Sequence, residues 1–299
     1  MNGQPQERQP DELLTSVSKF LYGTVRDETQ VKLDEIYDRF ADLNAAQVDH
    51  TLQRLSARQL IQVSLSREQV QLLADGKEAY ESGCIPELVL GEHYISDKYR
   101  SAVVHIIVQT TEGDQMGGTG FFVDDFPGWL VTAWHVTSRG KQVLRIENSE
   151  GTILQRGESE RHGGSEDLDL TLLRCPKQDC VIPLRIEWRE DMTRRLDKVL
   201  VFGYPPFAGH LVDQFVASGA ISSKPWRLGQ QRQSLIITGN VRGGCSGGPV
   251  VSEGGLVVGV ITEKNILQDG AGTIEYVAAT PSYYLRQILP DGPLKPEAR

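Results

Sequence analysis

The hydrophobic period of this chain changes once, near Gly83, and that change restricts the fold more than any other feature. Before it, apolar residues recur at helical spacing. Leu13, Leu14, Val17, Phe20 and Leu21 fall at i, i+1, i+4, i+7 and i+8, one face of a helix. Leu33, Ile36, Tyr37 and Phe40 repeat the pattern. A third helix follows Asn44, an N-cap residue type, with Val48, Leu52, Leu55 and Leu60 inward. Two alternating stretches, Ile61–Leu65 and Gln69–Leu73, flank Ser66-Arg67-Glu68 and read as a hairpin. Gly76 to Glu81 then start a last helix that ends near Gly83.

Beyond Gly83 the helical period is lost. Residues 85–100 carry Pro86 and no clear repeat, and are expected to be a connector. Short apolar runs then recur between Gly, Asp, Asn and Pro clusters: Ala102–Val108, Gly120–Val123, Trp129–Ala133, Leu144–Ile146, Leu168–Leu173, Val199–Phe202, Leu235–Thr238, Val250–Val251 and Leu256–Ile261. Many short strands with few helical stretches predict an all-β barrel or sandwich. A helical turn is expected at Tyr283–Leu289, followed by a tail. The organisation predicted is an α+β chain: a helical domain over 10–84, a connector over 85–100, a β domain over 101–290 and a tail over 291–299.

Three helices, a small β-wing and a closing helix resemble the winged helix-turn-helix of bacterial transcription regulators, the segments Val48–Leu55 through Arg58–Ile61 and then Leu72–Glu81 looking like its recognition helix, wing and closing helix. Gln59 departs from that pattern, which usually has Gly at the helix end. Such a module suggests DNA. Residues 1–85, however, hold nine Lys/Arg against 14 Asp/Glu, a net of −5, and DNA affinity comes largely from neutralised phosphates. Arg54, Arg58 and Arg67 are the local basic candidates for a DNA or partner contact, or simply solvated surface residues. Protein docking, dimerisation or regulation is favoured over DNA.

The whole chain points the same way. Its 299 residues suffice to bury a sizeable core without metal or disulfide support, and its formal net charge of −9 disfavours nucleic acid and anionic membranes. No apolar run approaches the roughly 18 residues needed to span a bilayer. The first ten residues are polar, unlike a secretory signal, so a cytoplasmic location is expected. The four cysteines, Cys84, Cys175, Cys180 and Cys245, lack metal-ligand spacing. Cys175 and Cys180 are close enough to bridge, but reduced thiols are the expectation in that compartment. Neither cofactor nor metal is expected.

The strongest chemical signal is Arg242-Gly243-Gly244-Cys245-Ser246-Gly247-Gly248-Pro249-Val250. A serine nucleophile needs a glycine-lined turn, so that its Oγ stands clear and backbone N–H groups converge on an oxyanion. Serine at its free pKa is a weak nucleophile and needs a base. Of the six histidines, His50, His93, His105, His135, His162 and His210, His135 stands out. It ends an apolar strand, Trp129–Ala133, at a small-residue turn. An imidazole base needs a buried carboxylate to orient it. Ser165-Glu166-Asp167-Leu168-Asp169-Leu170 offers three acids, of which Asp169 lies nearest the apolar run. On a strand, Asp167 and Asp169 would share a face opposite Leu168, Leu170 and Leu172.

Thr132-Ala133-Trp134-His135, Asp169-Leu170-Thr171-Leu172-Leu173 and Gly244-Cys245-Ser246-Gly247-Gly248-Pro249 resemble the three signature segments of trypsin-like serine peptidases, in that family's order of His, Asp, Ser. Gly118-Thr119-Gly120-Phe121, Lys198–Pro205, Ala217–Ser222 and Val277–Ser282 are similar in texture to bacterial HtrA/Deg proteases. The resemblance spans roughly residues 95–290 and implies a double β-barrel with His135, Asp169 and Ser246 as catalytic residues. It also implies an oxyanion hole of the Gly244 and Ser246 N–H groups. By family position, Asn240, Val241, Arg242, Gly243, Gly259, Val260 and Ile261 would line the S1 pocket. Asn240 stands where trypsin keeps an acid, so a neutral substrate residue is implied there.

Two departures matter. Cys245 occupies the place of the aspartate that receives a freed N-terminus in trypsin-type zymogens, so that switch is not expected. Residues 291–299 have no counterpart of the PDZ module common in HtrA proteins. The resemblance implies a serine endopeptidase acting on protein substrates. Its competitors are a DNA-binding regulator whose protease domain cleaves itself or a bound regulatory protein, and a pseudoprotease used for binding.

Overall fold

The computed structural model describes residues 9–23, 30–138, 141–157, 161–176, 178–179, 181–206, 213–225, 232–239, 243–269 and 272–289. The chain divides into two compact units, Met1–Ile95 and Ser96–Arg299.

The first unit runs α1 (Pro10–Tyr22), β1 (Gln30–Lys32), α2 (Leu33–Arg39), α3 (Ala45–Ala57), β2 (Ile61–Ser64), β3 (Gln69–Leu72), α4 (Ala74–Glu81) and α5 (Ile85–Leu90). Three antiparallel strands form one sheet in the order β1-β3-β2. The three short strands cannot bury a face alone, so the helices supply the core. Leu14, Val17, Leu21, Ile36, Leu52, Leu55, Ile61 and Val70 meet there almost wholly buried, each worth roughly 1.5–3 kcal/mol relative to exposure. Asn44 starts α3 as expected: its Oδ1 accepts from the Ala46 N–H at 3.0 Å, and Gln47 Oε1 accepts from the Asn44 N–H at 3.2 Å. This reciprocal pairing satisfies donors that the first helical turn leaves without partners.

Gln59 ends α3 in the left-handed region, φ 57°. The Leu60 N–H donates to the Leu55 carbonyl and the Gln59 N–H to the Ser56 carbonyl, at 3.1 and 2.9 Å. The backbone therefore makes the glycine-type helix stop although the residue is Gln.

The expected connector, which shows no clear repeat in the sequence, is helical. Residues 85–100 form α5 and α6 (Glu92–Tyr99), joined at Gly91, φ 78°. Pro86 sits in the first turn of α5, where no intrahelical N–H is required. The buried residues Ile85 and Val89, then Ile95 and Tyr99, are spaced by four. That repeat is too short in each helix to stand out from sequence.

The second unit is β-rich. Its first sheet comprises β4 (Val103–Gln109), β5 (Gln115–Phe122), β6 (Trp129–Thr132), β7 (Gln142–Glu147), β8 (Ile153–Arg156), β9 (Arg161–Ser165) and β10 (Leu170–Arg174), ordered β8-β7-β4-β5-β6-β10-β9. A single helical turn, α7 (Trp134–Thr137), follows β6. The second sheet comprises β11 (Arg185–Ile186), β12 (Lys198–Gly203), β13 (Phe215–Ser223), β14 (Leu235–Thr238), β15 (Pro249–Ser252), β16 (Leu256–Asp269) and β17 (Gly272–Pro281), ordered β11-β16-β15-β12-β13-β14-β17. A further pairing of β16 with β17 closes six of these strands into a barrel.

The fold is thus α+β, with one closed barrel beside a seven-stranded sheet. Each has its own apolar core. Val104, Ile106, Leu130, Ala133, Val136 and Leu173 pack within the first sheet. Val201, Ile221, Leu235, Cys245, Val250 and Ile261 pack inside the barrel. The expected turn at Tyr283–Leu289 is a 3₁₀ segment over Ser282–Gln287. The expected tail, from residue 290 onward, lies outside the described residues.

Candidate active site

His135 is set by its neighbours. Ala133 and Val136 on either side are buried in the core of the first sheet. Close backbone approach fixes the segment further. A Cβ at Gly118 would come within 2.5 Å of Val136, and one at Gly164 within 2.5 Å of the Trp134 ring. The His135 ring itself is left partly open, 45% exposed. The Lys141 ammonium donates to the His135 carbonyl at 2.5 Å.

Asp169 faces His135. Its Oδ2 lies 2.7 Å from Nδ1 of the ring, and its Oδ1 accepts from the His135 backbone N–H at 2.9 Å. The Asp169 carbonyl accepts from the Trp134 N–H at 3.1 Å. The Asp169 side chain is 18% exposed, so the carboxylate is held largely out of water. With Nδ1 occupied by the carboxylate, the ring proton sits on Nδ1 and Nε2 is left as the basic nitrogen.

Asp169 does not reach this position by strand alternation, as the sequence pattern suggested. Residues 166–169 are a turn and β10 begins at Leu170. Asp169 takes φ 53°, a conformation in which Asp is several-fold enriched among non-glycine residues. Glu166 and Asp167 are exposed on that turn. Leu168 is buried, and its carbonyl accepts from the Thr280 hydroxyl at 2.8 Å, which ties the turn to β17.

Ser246 is anchored from the barrel. Cys245 beside it is wholly buried in the barrel core, and a Cβ at Gly203 would come 2.6 Å from its Sγ. Gly244 and Gly247 both lie at positive φ, 94° and 86°. A side chain at Gly247 would strike the Thr119 carbonyl at 2.1 Å, Thr132 Oγ1 at 2.2 Å and the Ala133 nitrogen at 2.8 Å. The residue after Ser246 therefore rests on the strand end that leads into His135. On the other side, the Gly247 N–H donates to the Ile261 carbonyl at 2.7 Å, and the Ile261 N–H donates to the Gly248 carbonyl at 2.9 Å.

Two threonines that the sequence reading did not single out complete the loop's anchorage. The Thr119 N–H donates to the Ser246 carbonyl at 2.9 Å and its hydroxyl donates to the Gly244 carbonyl at 2.7 Å. The Thr132 hydroxyl donates to the Thr119 carbonyl at 2.6 Å. Both threonines are fully buried. A buried Thr among glycines carries no distinguishing sequence signal.

Of the other predicted positions, Gly243 is exposed, with open space where a side chain would stand. Gly259, Val260 and Ile261 lie on β16; Val260 and Ile261 bury their side chains and Ile261 offers its backbone to the Ser246 loop. Asn240, Val241 and Arg242 lie outside the described residues, as does Cys180. Cys84, Cys175 and Cys245 are buried and form no disulfide among the described residues. Burial pushes the Cys175 thiol up to about 11. In the first unit Arg58 and Arg67 are exposed and Arg54 is half-buried. Among the described residues no cluster of His, Cys, Asp or Glu is arranged to hold a metal ion, and no helix is long and apolar enough to cross a membrane.

Comparison with known proteins places these features. Residues 118–260 match the model of the trypsin-like peptidase domain. The magnetosome formation protease MamE of Magnetospirillum gryphiswaldense is 31% identical over 159 residues, which is 51% of this chain and 19% of its own length. Among solved structures, the HtrA-type protease AlgW with tripeptide is similar at 23% identity and TM-score 0.51, over 64% of this chain and 59% of that one. Its alanine-substituted form with tripeptide gives 22% identity and TM-score 0.53, over 65% and 61%. The chain thus spans about a fifth of the curated relative and about three-fifths of the solved ones. Over residues 118–260 the chain is similar to the trypsin-like peptidase domain, and the likeness to these solved structures shows a chymotrypsin-like fold.

Proposed function

We propose that this protein is a serine endopeptidase that cleaves protein substrates through His135, Asp169 and Ser246. The observation that carries the reading is the two-point hold of Asp169 on His135, by ring and by backbone. A carboxylate fixed this way selects the tautomer with Nε2 free and stabilises the imidazolium once formed. Ser246 Oγ attacks the substrate carbonyl carbon while Nε2 takes its proton. The Gly244 and Ser246 N–H groups stabilise the oxyanion, and collapse expels the amine with the proton from His135. Water then repeats the sequence on the acyl-enzyme and releases the acid.

On this reading the first sheet is the second barrel of a double-barrel protease, and the triad draws His135 and Asp169 from it and Ser246 from the closed barrel. Residues 10–84 are read as a winged helix-turn-helix that recruits a protein partner or regulates activity. Their acidic charge supports protein over DNA as its target.

The test is covalent labelling of the folded protein by a fluorophosphonate probe. Labelling is expected on Ser246 and lost in Ser246→Ala and His135→Ala. Absence of labelling, with and without candidate partner proteins, sinks the reading.

A further inference from the structure

The catalytic assignment gives no task to one buried hydroxyl beside the nucleophile. Thr119, on β5, is fully buried and uses every polar group it has on the walls of the Ser246 loop. Its backbone N–H donates to the Ser246 carbonyl at 2.9 Å. Its hydroxyl donates to the Gly244 carbonyl at 2.7 Å and accepts from the Tyr204 N–H at 3.0 Å. Its carbonyl accepts from Thr132 Oγ1 at 2.6 Å, which locks Thr119 to the strand leading into His135.

These bonds bracket the Ser246 N–H and adjoin the peptide that carries the Gly244 N–H. The Gly244 carbonyl fixes the peptide plane between residues 244 and 245, and the Ser246 carbonyl fixes the plane between 246 and 247. The Ser246 N–H belongs to the plane between these two. The Gly244 N–H belongs to the plane just before them, and Gly244 has no Cβ to restrain its rotation at φ 94°. Gly243, on the far side of that donor, is exposed in open space. Behind Gly244 the chain is backed by Tyr204 and Pro205: a Cβ there would meet the Tyr204 carbonyl at 2.5 Å and Pro205 at 2.9 Å. The same Thr119 hydroxyl holds that backing through the Tyr204 N–H.

We propose that the Thr119 hydroxyl is a positioning residue for the oxyanion site, holding the Gly244 peptide in the orientation that presents its N–H to the developing charge. The proposal rests on the reading of Ser246 as nucleophile. Preorganised donors cost no reorganisation during reaction, so loosening one lowers the chemical step and leaves ground-state binding in place.

The experiment compares the full-length wild type with Thr119→Ser, which keeps the hydroxyl, and Thr119→Val, which keeps the shape without it. Saturation kinetics of a fluorophosphonate probe separate the affinity of the first complex from the rate of bond formation at Ser246. Thermal unfolding is followed in parallel. Removing a direct oxyanion donor costs about 10²–10³-fold in rate, so the loss of its support in Thr119→Val is expected to cost roughly 10–100-fold in the bond-forming rate. Probe affinity is expected to stay within about twofold, and Thr119→Ser to lie within about threefold of wild type. A bond-forming rate equal in the valine and serine variants overturns the proposal, whatever their melting temperatures. Thr119→Ala replaces the valine variant if that does not fold. Failure of both to fold also overturns it, because the hydroxyl is then a determinant of folding. If the wild type is not labelled on Ser246, the parent reading falls and takes this one with it.

Discussion

Asp169 accepts two hydrogen bonds from one residue: Oδ2 lies 2.7 Å from His135 Nδ1, and Oδ1 accepts the His135 backbone N–H at 2.9 Å. The second bond satisfies a backbone N–H in the single turn of α7, so one carboxylate holds both the backbone and the ring of His135. The arrangement predicts a sharp separation of stability from activity in Asp169→Asn. Asparagine tolerates the left-handed backbone that residue 169 adopts, so the fold should persist. Its amide, however, no longer enforces the tautomer with Nε2 unprotonated. The expected result is a fall of about 10³–10⁴-fold in kcat with KM little altered, measured on a cleaved substrate or as the probe-labelling rate. A fall below tenfold would remove Asp169 from the triad.

Gly247 carries a different kind of demand. Its φ of 86° and its contact with the Thr119 carbonyl, Thr132 Oγ1 and Ala133 nitrogen leave no volume for a methyl group. Left-handed backbone costs a non-glycine residue about 1–2 kcal/mol, and overpacking costs about 1–3 kcal/mol more. Gly247→Ala should therefore lose roughly 2–5 kcal/mol of stability by denaturant unfolding, together with Ser246 labelling. A variant as stable and as reactive as wild type would contradict the packing described.

His105 predicts a pH dependence of stability. It is 7% exposed, stacks on Tyr204 with ring centroids 5.3 Å apart, and its Nδ1 is 4.0 Å from Glu147 Oε2. Burial lowers its pKa; nearby Glu147 opposes that and Arg145 adds to it. The folded state thus binds the proton less readily than the unfolded chain. The stability this group contributes is complete above the ordinary histidine value of about 6.5 and is lost as pH falls through that value toward the depressed folded one. His105→Phe keeps an aromatic partner for Tyr204 and removes the titration. Unfolding free energy measured at neutral pH and near pH 5 should fall less in that variant than in wild type. Equal falls would show that His105 is not the group responsible.

How far the sequence revealed this site depended on whether a residue's role was local. Asn44 announced a helix start, because capping is decided within the first turn. His135, Asp169 and Ser246 could be proposed from the sequence because each stands in a distinctive short segment. The route to Asp169 was not visible: alternation suggested a strand, whereas a turn at positive φ delivers the carboxylate. The strands β8 and β9 were missed because half-buried or glycine-containing edge segments have little hydrophobic period. Thr119 was legible only as part of a glycine-rich strand. Its task depends on residues 85 to 127 positions away, and no local pattern encodes such contacts.

Gln59 gives a test of the first unit that is independent of catalysis. The bonds from Leu60 to Leu55 and from Gln59 to Ser56 require a left-handed residue at 59, and the sequence supplies a side chain where glycine is the usual solution. Gln59 is exposed, so its replacement loses no core packing. Gln59→Gly removes about 1–2 kcal/mol of backbone strain and adds about 0.5–1 kcal/mol of unfolded-state entropy. A net gain of about 0.5–1 kcal/mol is expected, read from the loss of helical circular dichroism in urea. Gln59→Val should move the other way, because a β-branched side chain is least tolerant of positive φ. Probe labelling at Ser246 should be the same in both variants and the wild type while the protein remains folded. If Gln59→Gly proves less stable than wild type, the left-handed helix stop is not the conformation this chain adopts in solution.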